Sequence, residues 1–105
     1  MKRLRGCLDI CGTIYRSFLG TRRDFPGMAD CYGEVDEERQ ELHVESGMTK
    51  DRTEVTEMHE ALHALLKESG ADQLLADKEK DPTSETFVRV LAPHLARTTR
   101  LRWLK

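Results

Sequence analysis

Residues 53–69 read TEVTEMHEALHALLKES, and the periodicity of this stretch decides the architecture. With Val55 at zero on a helical wheel, Met58, Leu62, Leu65 and Leu66 fall in a sector from roughly 280° to 20°, the apolar stripe of an amphipathic helix. Within it, His59-Glu60-Ala61-Leu62-His63 sets two histidines four residues apart. One helical turn brings such a pair to about 6 Å on one face, so both imidazoles can reach a single metal ion. On the same wheel His59 falls at about 40° and His63 at about 80°, along the border of the stripe, with Glu60 at about 140°. A histidine that only fills a core more often occurs singly, and a solvated one sits opposite the stripe. Zinc is the ion expected at this spacing, with Glu60 placed to take a proton from a water that the ion holds.

A catalytic zinc takes three protein ligands and keeps a fourth position for water. Leu66 and Ser69 stand where the extended HExxHxxGxxH pattern has glycine and its third histidine, so the third ligand must come from another element. The next helical pattern opens at Asp81-Pro82-Thr83-Ser84-Glu85, with Asp81 suited to the N-cap and Pro82 to the first helical position. Counted from Glu85, the apolar stripe of Phe87, Val88, Leu91 and Leu95 covers roughly 200° to 300°, and Ala92 extends it to about 340°. Glu85 borders that stripe and is the expected third ligand. A plain structural role for it also exists, since an acid in the first turn favours the helix dipole and Arg89 follows at i+4. His94 is the main rival but falls at about 180°, beyond the stripe. Asp77, Glu79 and Asp81, in the charged connection, are weaker rivals.

The run Glu57-Met58-His59-Glu60-Ala61-Leu62-His63-Ala64-Leu65-Leu66, followed by Glu85, Val88, Leu91-Ala92-Pro93 and Leu95, resembles the small gluzincin-type zinc metallopeptidases of phages and bacteria. Their better-known relatives are the ImmA/IrrE type, which act on transcriptional repressors. Upstream, Tyr32-Gly33-Glu34-Val35-Asp36 and Glu41-Leu42-His43-Val44 resemble the hairpin that precedes the active-site helix in that group. The resemblance covers roughly residues 30–97, its pentapeptide being the most specific part. It implies a zincin-like, minimal gluzincin domain in which His59, His63 and Glu85 hold zinc and Glu60 is the general base. No long N-terminal helix and no DNA-binding domain of the larger members is recognisable, so their substrates are not carried over.

Composition sets the remaining bounds. A chain of 105 residues, 38% hydrophobic, supplies one modest core and is expected to be a single domain over residues 1–105. It is 34% charged with a mean hydropathy of -0.61, and no run approaches the roughly 18 apolar residues of a membrane span. Met1-Lys2-Arg3-Leu4-Arg5 is basic, but Asp9 and Arg16 interrupt the stretch after it and no cleavage site is evident, so export is not expected. The odd cysteine count, Cys7, Cys11 and Cys31, argues against a disulfide framework and fits a cytoplasmic protein. These cysteines with His43 lack the paired Cys-x-x-Cys spacing of a structural zinc site and are expected to be small buried hydrophobes.

Charge is uneven, with net +4 over residues 1–25, -8 over 26–60 and +2 over 61–105. The acidic block Glu34 to Glu45 either solvates a sheet edge or attracts a positively charged substrate strand. The basic ends, Lys2, Arg3 and Arg5 with Arg97, Arg100, Arg102 and Lys105, have little aromatic interleaving beyond Trp103, so nucleic acid is not favoured as a partner.

Alternation predicts strands over Leu4 to Cys11 and Thr13 to Leu19, with Gly12 at the turn. A loop is expected over Thr21 to Asp30. A second hairpin is expected from Cys31 to Asp36 and Arg39 to Ser46, with Leu42 and Val44 alternating against His43 and Glu45. The active-site helix should begin at about Thr49 and end near Gly70, followed by a short helix over Ala71 to Asp77 and a last one from Pro82 to about Arg97. The expected fold class is α+β, a short antiparallel or mixed sheet packed on the His59 helix, with a C-terminal helix that bears the third ligand.

The function this predicts is zinc-dependent hydrolysis of a peptide bond, with Glu60 shuttling the proton from water to the leaving amine. The partner is then a peptide or protein substrate, a regulatory protein among the candidates, bound by strand addition along Arg39 to Ser46. Tyr15, Tyr32, His43 and His94 are the candidate oxyanion donors. The alternatives are a non-catalytic metal-holding module that binds a regulator, and a metal-free α+β protein.

Overall fold

The first hairpin forms where the alternation predicts it. β1 (Arg3–Ile10) and β2 (Thr13–Gly20) pair antiparallel across a turn at Cys11 and Gly12, whose φ angles are 53° and 86°. Two positive φ values in a two-residue loop match the right-handed twist of the flanking strands. The Gly12 N–H donates to Asp9 Oδ1 at 2.7 Å, closing the turn. Near the other end the register passes from Leu4 opposite Phe18 to Gly6 opposite Ser17, leaving Arg5 in a bulge. A bulge re-aims its side chain, and this one sends Arg5 towards the helix layer.

The computed structural model describes residues 1–28, 31–75, 84–99, 101, 103 and 104. A short 3-10 turn, Pro26–Met28, precedes β3 (Gly33–Asp36) and β4 (Glu41–Glu45). β4 lies inside the sheet, parallel to β2 on one side and antiparallel to β3 on the other, giving a mixed sheet of order β1-β2-β4-β3. This corrects the expectation that Arg39 to Ser46 offers a free edge for substrate. The free edge of this hairpin is β3. Glu41, Leu42, His43 and Val44 are all buried. Leu42 faces the helix layer, while on the other face Phe25 stacks on the His43 ring at 4.1 Å and joins Phe18 and Met28 in a small second core.

Helix α1 (Lys50–Ser69) starts at Thr49, whose hydroxyl accepts from the Arg52 N–H at 3.2 Å, and stops at Gly70 with φ 79°. Both ends follow from local chemistry: a threonine cap satisfies an orphan N–H, and glycine adopts the left-handed terminus. A four-residue helix α2 (Asp72–Leu75) leads on, and α3 (Glu85–Thr98) packs along α1. The residue that caps α3 is Ser84, at φ 58° and without a side-chain cap bond. The helix therefore begins after the predicted start at Pro82. Asp81 and Pro82, like the rival ligands Asp77 and Glu79, lie outside the described residues.

The burial of α1 differs from the single-stripe expectation. Its large apolar residues, Met58, Leu62 and Leu66, pack against Val88, Ala92 and Ala96 of α3. The sheet rests on a different face, where Ala61 and Ala64 meet Leu8, Ile10, Tyr15 and Leu42. Small residues let helix and sheet approach closely, so the side facing the sheet carries little apolar bulk and two acids, Glu57 and Glu60, both buried. Leu65 falls between the two packed faces and Phe87 on the outside of α3, each 40% exposed, so neither completes the core predicted for it.

The cysteines are not the buried hydrophobes expected of them: Cys7 is half-buried, Cys11 sits in the exposed turn, and Cys31 is exposed. At the chain end Leu104 donates its N–H to the Cys7 carbonyl at 2.7 Å, covering part of the β1 edge. Of the basic ends, Arg5 is taken up by Glu57 and Lys2 by Glu41, while Arg100, Arg102 and Lys105 lie outside the described residues. No helix among the described residues is long and apolar enough to cross a membrane.

Candidate metal centre

The two histidines of α1 and the first residue of α3 converge. His59 Nε2 lies 2.9 Å from Glu85 Oε1, and His63 Nε2 lies 2.6 Å from Glu85 Oε2. The rings meet edge to face at 4.9 Å between centroids, as successive turns of one helix require. Three donors within 4.8 Å of one another could hold a metal ion. Tetrahedral zinc with bonds of about 2.0–2.1 Å sets neighbouring donors roughly 3.3 Å apart, so the cluster would have to open by about 0.4–0.7 Å to admit it. The donor set fits: two imidazoles and a carboxylate are ordinary zinc ligands. Burial, opposed by the Glu85 charge and aided by His63, holds the His59 pKa below its ordinary value. That favours the neutral imidazole, which is the form that binds a metal.

Glu60 points from α1 towards the sheet edge and is 8% exposed. Its side chain lies against the backbone of Gly33, the first residue of β3. Burial first, then the charges of Glu85 and Glu34, push its pKa up to about 8. A carboxyl so placed is mostly protonated at neutral pH, and a cation held beside it would favour its ionised form. On either side of it open two hollows that share Glu60, His63 and Glu85 as walls. One, of about 470 Å³, is closed by Tyr32, Gly33, Val55 and Arg89, and the other, of about 380 Å³, by Val35, Glu37, Lys67 and Asp72.

The rivals fare differently. His94 is exposed on α3 and does not join the cluster. A second group, Asp36, Glu41 and His43, also has metal-ligand spacing. There Glu41 already pairs with Arg16 at 2.8 Å and Lys2 at 3.5 Å, so protein cations meet its charge. No cysteine belongs to a metal-binding group among the described residues.

Of the expected oxyanion donors, only Tyr32 lines the cleft, with the Arg52 guanidinium 4.7 Å above its ring. Tyr15 is buried under the sheet and donates to Glu68 at 2.7 Å; its burial, with that carboxylate, raises its pKa. His43 lies on the far side of the sheet between Glu34 and Glu41. Three features of the site and its surroundings go beyond the roles that sequence pattern assigns. Gly33 has a signal, a glycine opening a strand beside the motif helix. Arg89 suggests by its spacing only an ion-pair partner at i+4. The contact of Arg5 and Ser17 with Glu57 joins distant segments and has no local signal.

Compared with models of known families, with curated proteins and with solved structures, the chain matches none.

Proposed function

We propose that this protein is a zinc-dependent peptidase of the gluzincin type, with His59, His63 and Glu85 as ligands and Glu60 as general base. The observation that carries the reading is the placement of Glu60: a buried carboxyl beside the ligand cluster, at the wall shared by two hollows and against the edge of β3. A purely structural metal site gains nothing from a carboxyl held there. When bound, zinc supplies a Lewis acid for the scissile carbonyl and acidifies water.

The chain's own residues do the rest. Glu85 fixes α3 to α1 and spreads its two oxygens over both histidines. Glu60 holds the proton lost by water and returns it to the leaving amine, a role its placement beside the ligand cluster suits. β3 offers a free sheet edge along the cleft for an extended peptide.

The test compares wild type with Glu60→Gln. Equal zinc content in the two proteins, with peptide hydrolysis lowered about 10²–10⁴-fold in the variant, is the expected result. Equal hydrolysis would remove Glu60 from the chemistry. Zinc retained with no hydrolysis by wild type, together with an undiminished regulatory effect of Glu60→Gln, would favour a metal-holding interaction module.

A further inference from the structure

The backbone of β3 determines which atoms meet a bound chain. Glu45 donates its N–H to the Tyr32 carbonyl at 2.8 Å, one pair beyond Gly33 opposite Val44. Hydrogen-bonded and non-hydrogen-bonded pairs alternate along an antiparallel ladder. Tyr32, Glu34 and Asp36 therefore bond to β4, and Gly33 and Val35 turn their N–H and C=O groups to the free edge. Gly33 lines one hollow and Val35 the other. A strand paired to these two residues, about 7 Å apart, would cross both hollows with Glu60 between them.

The hollows differ in charge. Apart from the cluster and Glu60, the charged residue lining the Gly33 hollow is Arg89, 75% exposed and 3.5 Å from Glu85. Arg52, stacked on Tyr32, adds a second cation to that end. The Val35 hollow carries Glu37 and Asp72 against Lys67. The ammonium of Lys67 is bonded to Glu37 at 2.6 Å, and Glu37, Asp72 and Glu68 together hold its pKa above the ordinary value. Beyond the residues they share, the first end adds positive charge and the second a net negative charge.

Antiparallel pairing is the more stable mode at an edge. Since β3 runs from Gly33 to Val35, an antiparallel ligand enters at the Val35 hollow and leaves at the Gly33 hollow. We propose that the cleft binds an extended polypeptide along β3 with a basic side chain N-terminal to the metal centre, beside Glu37 and Asp72, and an acidic one C-terminal to it, beside Arg89. The inference rests on the peptidase reading for where the scissile bond lies, though not for the binding itself.

The experiment uses zinc-loaded Glu60→Gln and three fluorescein-labelled peptides: lysines before and glutamates after an alanine centre, the reverse order, and a glutamine version. Fluorescence anisotropy should show the lysine-first peptide bound about tenfold more tightly than the reversed one, as a few exposed charge pairs would give. Adding Arg89→Glu should abolish or invert that preference. Equal affinities, no binding, or a preference untouched by Arg89→Glu would overturn the proposal. Hydrolysis of the same peptides by wild type is scored separately. Selective binding without cleavage counts against the peptidase reading alone, and cleavage indifferent to charge order counts against this proposal alone.

Discussion

The backbone of Gly33 and the side chain of Glu60 are in direct contact: a β-carbon at residue 33 would lie 3.0 Å from both Cγ and Oε2 of Glu60, and 2.9 Å from Cγ2 of Thr56. Glycine is required here by that close approach, since its φ lies outside the left-handed range. The sheet edge and the helix carboxyl are fixed by one another. Gly33→Ala should displace Glu60 while leaving His59, His63 and Glu85 in place. The expected result is full zinc content with turnover reduced about 10²-fold, the cost of a misplacement near 1 Å. Zinc analysis and peptide hydrolysis on the same preparation check it, and undiminished turnover would show that the contact is immaterial.

Glu85 and His94 lie on one helix, but only Glu85 touches the two histidines. Elemental analysis after dialysis should find about one zinc per chain in wild type and in His94→Ala. Glu85→Ala should lose or weaken binding, because two histidines alone make an incomplete site. A wild type that takes up no zinc when it is added would end the metal reading.

Local chemistry is legible in this sequence where one element decides the outcome. Thr49 and Gly70 bound α1 because capping is a property of a few neighbouring residues. The His59-His63 spacing needs only helical geometry. What the sequence conceals depends on long-range placement. β4 reads as an outer strand because nothing local reveals its parallel pairing with β2, and the side of α1 against the sheet has Ala61 and Ala64 where bulk is expected. Glu60 falls far from the apolar stripe on a helical wheel, yet it is buried because a second layer covers that face. The start of α3 is misplaced by sequence because Asp81-Pro82 is a strong helix-start signal, while Ser84 holds the cap position without making a side-chain bond.

Arg5 donates from Nε and Nη2 to both oxygens of Glu57, and Ser17 adds its hydroxyl at 3.0 Å. Glu57 is 2% exposed, so removing its partners strands a buried charge. Arg5→Ala should cost about 1.5–3 kcal/mol in urea unfolding, the range for hydrogen bonds to a charged group. The double change Arg5→Met with Glu57→Leu should recover most of that loss, since an apolar pair of similar volume carries no desolvation penalty. A double variant no more stable than the single one would show that packing around Arg5, including the Trp103 ring, matters more than the charge.

Glu41 makes a pH prediction independent of the metal centre. Burial raises its pKa, but the hydrogen bond from His43 and the charges of Lys2, His43 and Arg16 outweigh it, and the net direction is down from 4.5. A carboxylate with a folded-state pKa below its unfolded one stabilises the fold above the unfolded value, and that contribution disappears as pH falls through the folded one. Glu41→Gln removes the charge at every pH. Wild type should therefore exceed the variant by about 1.5–3 kcal/mol at neutral pH, the range for hydrogen bonds to a charged group. The gap should close in acid, as pH falls through the lowered pKa of Glu41 and the group is protonated in the folded chain too. Urea melts of both proteins at the two pH values measure it. A gap that persists in acid would mean that Glu41 acts through its shape and neutral hydrogen bonds, and that the cations around it add little.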